Sequence, residues 1–155
     1  MKIQWKKLLL CLALPLAVGG LSALLAGSMD IYDTLVKPPI SPPGWLFPIV
    51  WTVLFLLMGY ASYRVLVSDA PKEAIRKAWV LYLLQLAFNF VWPLLFFRGM
   101  WLLLSLIWLL ALWVMILLTI RAISAIDSPA GDLLIPYLLW VTFAAYLNFG
   151  FYLLN

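Results

Sequence analysis

Two side-chain amides, Gln85 and Asn89, lie in the middle of a long apolar segment. They are four residues apart and therefore share one face of a helix. Tyr82 and Phe96 lie on the same face. An amide in a hydrocarbon environment is costly unless it is hydrogen-bonded. The pattern has two interpretations: the amides join neighbouring helices, or they contact a ligand.

Two other apolar segments carry aromatic residues at helical spacing. One has Trp51 and Phe55 on a common face, and the other has Trp140, Ala144 and Asn148. Such a stripe is usually ordinary packing within a bundle. Together with the amides, however, it is also suited to a flat hydrophobic ligand, because Trp rings can stack on the ligand while an amide orients it.

Several other chemistries are excluded by residue type. The chain has no histidine, which removes His-ligated metal and haem sites and the Ser/His/Asp triad. Its single cysteine, Cys11, cannot form an intramolecular disulfide. We therefore expect no metal site and no required cofactor. The acids lie in connections or at segment ends, which argues against an ion-coupled pump; they are Asp30, Asp33, Asp69, Glu73, Asp127 and Asp132.

The composition defines the elements that must position these residues. With 67% hydrophobic residues, 10% charged residues and a mean hydropathy of +1.10, the chain is predicted to be an integral membrane protein. We expect an all-α fold with one domain over residues 1–155. The predicted spans are 6–27, 43–67, 74–97, 100–123 and 131–154.

The connection between the first two spans is rich in proline. Five of the ten prolines lie between Lys37 and Trp51. Ser41 followed by Pro42 is a plausible helix start, because serine can cap a helix and proline suits its first position. The segment is either an ordered lid over the mouth of the bundle or a stiff surface connection. We favour the lid, because the amides and tryptophans on other spans give it something to cover.

The basic residues predict the orientation in the membrane. With five spans, eight Lys and Arg residues fall on the N-terminal side and only Lys37 and Arg98 on the other. This bias predicts a cytoplasmic N-terminus. It also explains the net charge of +4 without a nucleic-acid partner.

Three blocks of sequence resemble one known family. They are Y-D-T-L-V-K-P-P-I-S-P-P-G-W-L-F-P-I-V-W from Tyr32, L-Y-L-L-Q-L-A-F-N-F-V-W-P-L-L-F-F from Leu81, and P-Y-L-L-W-V-T-F-A-A-Y-L-N from Pro136. In this order and on three spans, they resemble the TspO, tryptophan-rich sensory protein or translocator protein family across essentially the whole chain.

The resemblance implies a five-helix bundle, often dimeric, that binds porphyrins, sterol-like molecules and benzodiazepine-site ligands beneath the first loop. It implies that Trp51 and Trp140 match tryptophans linked to light-dependent porphyrin breakdown. A basic residue that the family's C-terminal sterol pattern requires after Tyr146 is missing here. The pocket residues that the resemblance implies are Tyr32, Pro42, Trp51, Phe55, Asn89 and Trp140.

These observations lead to one main functional hypothesis and two alternatives. We expect a receptor or sensor that binds a porphyrin without a metal ligand from the protein. The alternatives are passive transport of a porphyrin or a lipid-like molecule and photo-oxidative porphyrin breakdown. We also expect membrane lipids as partners, a homodimer and a location in a bacterial cytoplasmic membrane.

Overall fold

A computed structural model describes residues 2–27 and 30–155 as a set of helices, with no strand among them. The fourth helix continues beyond Pro93 as a π-helical turn over Leu94–Arg98. The helices are α1 (Trp5–Ala26), α2 (Asp30–Thr34), α3 (Leu46–Leu66), α4 (Lys72–Pro93), α5 (Leu102–Ile126), α6 (Ser128–Asp132) and α7 (Ile135–Leu154).

Within residues 2–27 and 30–155, five helical segments are long and apolar enough to cross a membrane. They are α1, α3, α4 with its π-helical turn, α5, and α6 with α7, with lengths of 21 to 27 residues. At about 1.5 Å per residue, each can span a hydrocarbon layer of about 30 Å. The prediction of an all-α, five-helix membrane bundle is confirmed.

The five long helices pack around a common core. Helix α1 lies mainly against α3 and also contacts α4, whereas α5 packs against both α4 and α7. Met58, Ala61, Ile116 and Val141 have no exposed surface and mark the centre of the core. Gly59 brings α3 close to α1, because a Cβ there would lie 2.7 Å from the backbone oxygen of Cys11.

The predicted helix start at Ser41 and Pro42 is wrong, and α3 begins instead at Leu46. The hydroxyl of Ser41 donates a hydrogen bond back to the carbonyl oxygen of Pro38 at 2.7 Å. Ile40 has a φ of 66°, a left-handed conformation that does not lead into a helix. Residues 38–45 therefore form turns above α3 instead of its first helical turn.

Within the connection between α1 and α3, the described residues 30–45 form an ordered lid, which confirms the prediction. This lid is fastened to the end of α7. The Tyr146 hydroxyl donates to the carbonyl oxygen of Pro39 at 2.5 Å, and Asn155 exchanges two hydrogen bonds with the backbone of Val36 at 3.0 and 2.9 Å. A Cβ at Gly150 would lie 2.5 Å from Pro38, so the glycine allows the lid to pack closely against α7.

Candidate ligand-binding site

A cavity of about 230 Å³ lies beneath the lid, between α1, α3, α4 and α7. Its lining consists of Gly19, Ser22, Ala23, Ala26 and Gly27 at the end of α1, Tyr32 in the lid, Phe47, Pro48, Trp51 and Phe55 on α3, Asn89, Trp92, Pro93, Phe96 and Phe97 on α4 and its π-helical turn, and Trp140, Ala144, Leu147, Asn148 and Phe151 on α7.

Aromatic rings form the walls of the cavity on α3 and α7. The rings of Trp51 and Phe55 are 5.5 Å apart and tilted by 31°, and Trp51 also meets Tyr137 edge-on at 6.0 Å. Phe47 meets Trp140 in the same manner at 5.9 Å. Because these rings contact one another across two helices, they form a continuous wall on which a flat molecule can lie.

Tyr32 closes the cavity from the lid side. Its hydroxyl donates to the carbonyl oxygen of Pro42 at 2.5 Å, and its ring packs edge-on against Phe47 and Phe151 at 5.2 and 5.6 Å. Burial raises the pKa of Tyr32 above its ordinary value. The hydroxyl therefore stays protonated at neutral pH and remains a hydrogen-bond donor to Pro42 within the lid.

A chain of three polar side chains connects α4 with α7 next to the cavity. The amide nitrogen of Asn89 donates to the Tyr137 hydroxyl at 2.8 Å, and that hydroxyl donates to the amide oxygen of Gln85 at 2.7 Å. Gln85 thus joins two helices, whereas Asn89 joins them and also lines the cavity. Both amides therefore join neighbouring helices, which was the first of the two interpretations. Contact with a ligand stays a prediction for Asn89.

Asn148 lines the cavity, but its amide is engaged by the protein. Its amide oxygen accepts hydrogen bonds from Nε1 of Trp92 and Oγ of Ser105, both at 3.1 Å. Its amide nitrogen donates to the carbonyl oxygen of Leu102 at 3.0 Å. Asn148 therefore fixes the position of the Trp92 ring and leaves Asn89 as the better placed of the two amides for a ligand.

The structure brings together most of the residues that the sequence predicted for the site. Pro42 and Gln85 are not among the lining residues, because Pro42 holds Tyr32 from within the lid and Gln85 lies behind the cavity wall. The ligand contacts of all these residues stay predictions. Those that line the cavity are Tyr32, Trp51, Phe55, Asn89, Trp140, Ala144 and Asn148.

Sequence reasoning missed the wall that α1 contributes. Gly19, Ser22, Ala23 and Ala26 follow helical spacing, so one face of this helix carries only small side chains. A Cβ at Gly19 would lie 2.2 Å from the Phe55 ring, which shows how closely that ring fills the space. The helical spacing of these small residues in the sequence is the signal that could have predicted a cavity wall on α1.

The chemistry of the site follows from its lining. No Lys, Arg, Asp or Glu is present among the lining residues. No group of His, Cys, Asp and Glu within the described part of the chain could hold a metal ion. The arrangement can enclose and stack a hydrophobic molecule, whereas a buried charge would have no partner there.

The five spans and the lidded cavity define a helical membrane protein with an internal apolar chamber. The model of the TspO/MBR family matches residues 11–153, and the chain belongs to this family. It is 43% identical to the tryptophan-rich protein TspO of Chlorobaculum tepidum, over 100% of this chain and 99% of that protein.

Two further relatives carry different names. The chain is 37% identical to a tryptophan-rich sensory protein of Cereibacter sphaeroides, over 100% of this chain and 95% of the relative. It is 39% identical to the translocator protein of Ovis aries, over 76% of this chain and 70% of the relative. Membrane sensor and translocator proteins are thus both among its relatives.

Proposed function

We propose that the protein is a membrane receptor or sensor that binds porphyrins and other flat hydrophobic molecules in the cavity under the lid. The observation that carries the proposal is the cavity's aromatic, uncharged lining. Burial against such walls favours a flat apolar ligand, and Asn89 supplies an amide that can orient it. The name of the Cereibacter sphaeroides relative, a sensory protein, supports the sensing role.

The size of the cavity makes the lid part of the binding step. At about 230 Å³, it is smaller than the roughly 300 to 1,000 Å³ typical of ligand pockets. A porphyrin must therefore displace the lid or the ring walls to be enclosed.

The absence of histidine makes the proposal testable. Without an imidazole to ligate iron, binding depends on the porphyrin ring, so metal-free protoporphyrin and haem should bind with similar affinity. Quenching of tryptophan fluorescence in the purified protein, reconstituted in lipid nanodiscs, measures both affinities. Binding of haem alone would overturn the proposal.

A second candidate function is light-dependent breakdown of the bound porphyrin. The observation that favours it is that Trp51 and Trp140 both line the cavity, where each could react with an excited ligand. The double change Trp51→Phe and Trp140→Phe should then slow porphyrin loss under illumination while dark binding persists. Unchanged loss would remove this candidate.

A third candidate is passive transport of a porphyrin or a lipid-like molecule. An uncharged cavity between spans permits a neutral hydrophobic cargo, and the Ovis aries relative is named a translocator. Porphyrin flux into proteoliposomes should exceed flux into protein-free vesicles if the protein carries it. Equal flux would contradict transport and leave receptor binding unaffected.

We further propose a bacterial cytoplasmic membrane as the location, with the N-terminus in the cytoplasm and the lid outside. The distribution of basic residues supports this orientation. We also propose a homodimer surrounded by membrane lipids that requires neither a cofactor nor a nucleic-acid partner. Light scattering of the protein in nanodiscs measures the number of subunits.

A further inference from the structure

We propose that Arg98 selects, among flat hydrophobic ligands, those that carry a carboxylate, by pairing with that group at the rim of the cavity. The inference rests on the proposed binding function and adds the chemical class of the ligand. Such a ligand would place its apolar body between the aromatic walls and its charged group next to the guanidinium.

The position of Arg98 at the rim follows from its neighbours. It ends the π-helical turn of α4, whose residues Phe96 and Phe97 line the cavity. Its Nη1 donates a hydrogen bond to the carbonyl oxygen of Leu25 at 2.9 Å. Leu25 directly precedes Ala26, another lining residue. The guanidinium therefore connects two walls of the cavity at the lid-side end and remains solvent-exposed.

Most of the hydrogen-bonding capacity of Arg98 is unused. A guanidinium has about five N–H donors, and one bond, to Leu25, is formed within residues 2–27 and 30–155. Among the described residues, the ion pair that the structure shows joins Arg64 to Asp127 at 2.8 Å, and it lies at the opposite end of the bundle. Arg98 therefore has no carboxylate partner among the described residues.

Lys37, the other basic residue on the lid side, is already engaged. Its Nζ lies 5.0 Å above the centre of the Tyr32 ring and 3.5 Å from the backbone oxygen of Asp33. Both partners belong to the lid itself. Lys37 thus stabilises the lid, which leaves Arg98 as the basic residue on the helical side of this end of the cavity.

The uncharged lining explains why a carboxylate would be held at the rim. A carboxylate inside the cavity would lose its hydration without gaining a partner, which is costly. At the rim it keeps contact with water and meets a planar guanidinium whose paired N–H groups match its two oxygens. The charge of the ligand thereby sets its orientation in the cavity.

The test compares two ligands with the same ring, protoporphyrin IX and its dimethyl ester, on the protein in nanodiscs of phosphatidylcholine. Fluorescence quenching should show that the wild type binds the acid about threefold to tenfold more tightly than the ester, as expected for a partly exposed charge pair. Arg98→Gln should remove this difference and change ester affinity less than twofold. Arg98→Lys should keep part of the difference.

Lys37→Gln is the matched control, because it removes a charge from the same side and should preserve the preference for the acid. Equal affinity of the wild type for both ligands would overturn the inference while leaving porphyrin binding intact. An equal loss for both ligands in Arg98→Gln would also overturn it, because Arg98 would then only fasten α4 to α1. Failure of the wild type to bind either ligand would overturn the proposed function as well.

Discussion

Gly19 occupies a position on α1 where the cavity wall has no room for a side chain. The added methyl group of Gly19→Ala would lie 2.2 Å from Cε2 of Phe55, so the ring must move into the cavity. Overpacking of this kind typically costs about 1 to 3 kcal/mol. We expect porphyrin affinity to fall about tenfold, as measured by fluorescence quenching.

Gly20→Ala provides a matched control for that measurement. A Cβ at Gly20 meets no atom within 4 Å, although the residue adjoins Gly19 on the same helix. Its substitution should leave porphyrin affinity unchanged and preserve or slightly raise thermal stability, because alanine favours a helix more than glycine does. Similar affinities for the two variants would contradict the assignment of α1 as a wall of the binding site.

Two buried tyrosines differ in whether their hydroxyl groups are paired. The Tyr137 hydroxyl bonds to both Asn89 and Gln85, whereas the Tyr82 hydroxyl has no hydrogen-bond partner within the described residues. Tyr137→Phe should destabilise the protein by about 1 to 3 kcal/mol, because two buried amides lose a partner. Tyr82→Phe should preserve or raise the midpoint of thermal unfolding. Equal destabilisation by both changes would show that the Tyr82 hydroxyl is paired.

At the residue scale, seven of the residues predicted for the site line the cavity, but the sequence did not predict how each polar atom is used. Gln85, Asn89 and Asn148 are all amides in apolar spans, and their helical spacing does not distinguish their roles. Their roles differ because Tyr137, Trp92 and Ser105 approach from other helices. Such long-range partners depend on how the helices pack, which local spacing does not specify.

At the scale of elements, the lid depends on a small number of hydrogen bonds to α7. Tyr146→Phe removes the bond from its hydroxyl to the Pro39 carbonyl oxygen while keeping the ring. The loss of one such bond costs roughly 0.5 to 1.5 kcal/mol. If the lid retains the ligand, porphyrin dissociation in stopped-flow measurements should accelerate about threefold to tenfold.

Tyr152→Phe is the control, because Tyr152 lies on the same helix and both tyrosines are 41% exposed. Its dissociation rate should match that of the wild type. If Tyr146→Phe left the dissociation rate unchanged, opening of the lid would not limit ligand release.

The lid also shows why some element boundaries were mispredicted. Ser41 and Pro42 have the residue types of a helix start, but the Ser41 hydroxyl bonds to Pro38 and the Pro42 carbonyl oxygen accepts from Tyr32. The contacts of the lid thus override the local preference, and α3 starts at Leu46. Capping signals specify that a helix is near, whereas tertiary contacts decide its first residue.

At the scale of the whole molecule, the two ends of the bundle differ in both charge and structure. The lid end carries the cavity and two basic residues, and the opposite end carries eight basic residues together with the ion pair between Arg64 and Asp127. Because basic residues are retained on the cytoplasmic side, the lid and the cavity should face away from the cytoplasm. A porphyrin from outside the cell would then meet the lid first.

This orientation predicts which positions an impermeant thiol reagent can label in intact cells. In a Cys11→Ala background, Thr34→Cys places a thiol on the exposed part of the lid, and Asp69→Cys places one in the exposed connection between α3 and α4. Thr34→Cys should react in intact cells, whereas Asp69→Cys should react only after permeabilisation. The reverse pattern would place the lid in the cytoplasm, and labelling of both in intact cells would indicate a mixed topology. Each variant should retain porphyrin binding, because neither residue lines the cavity.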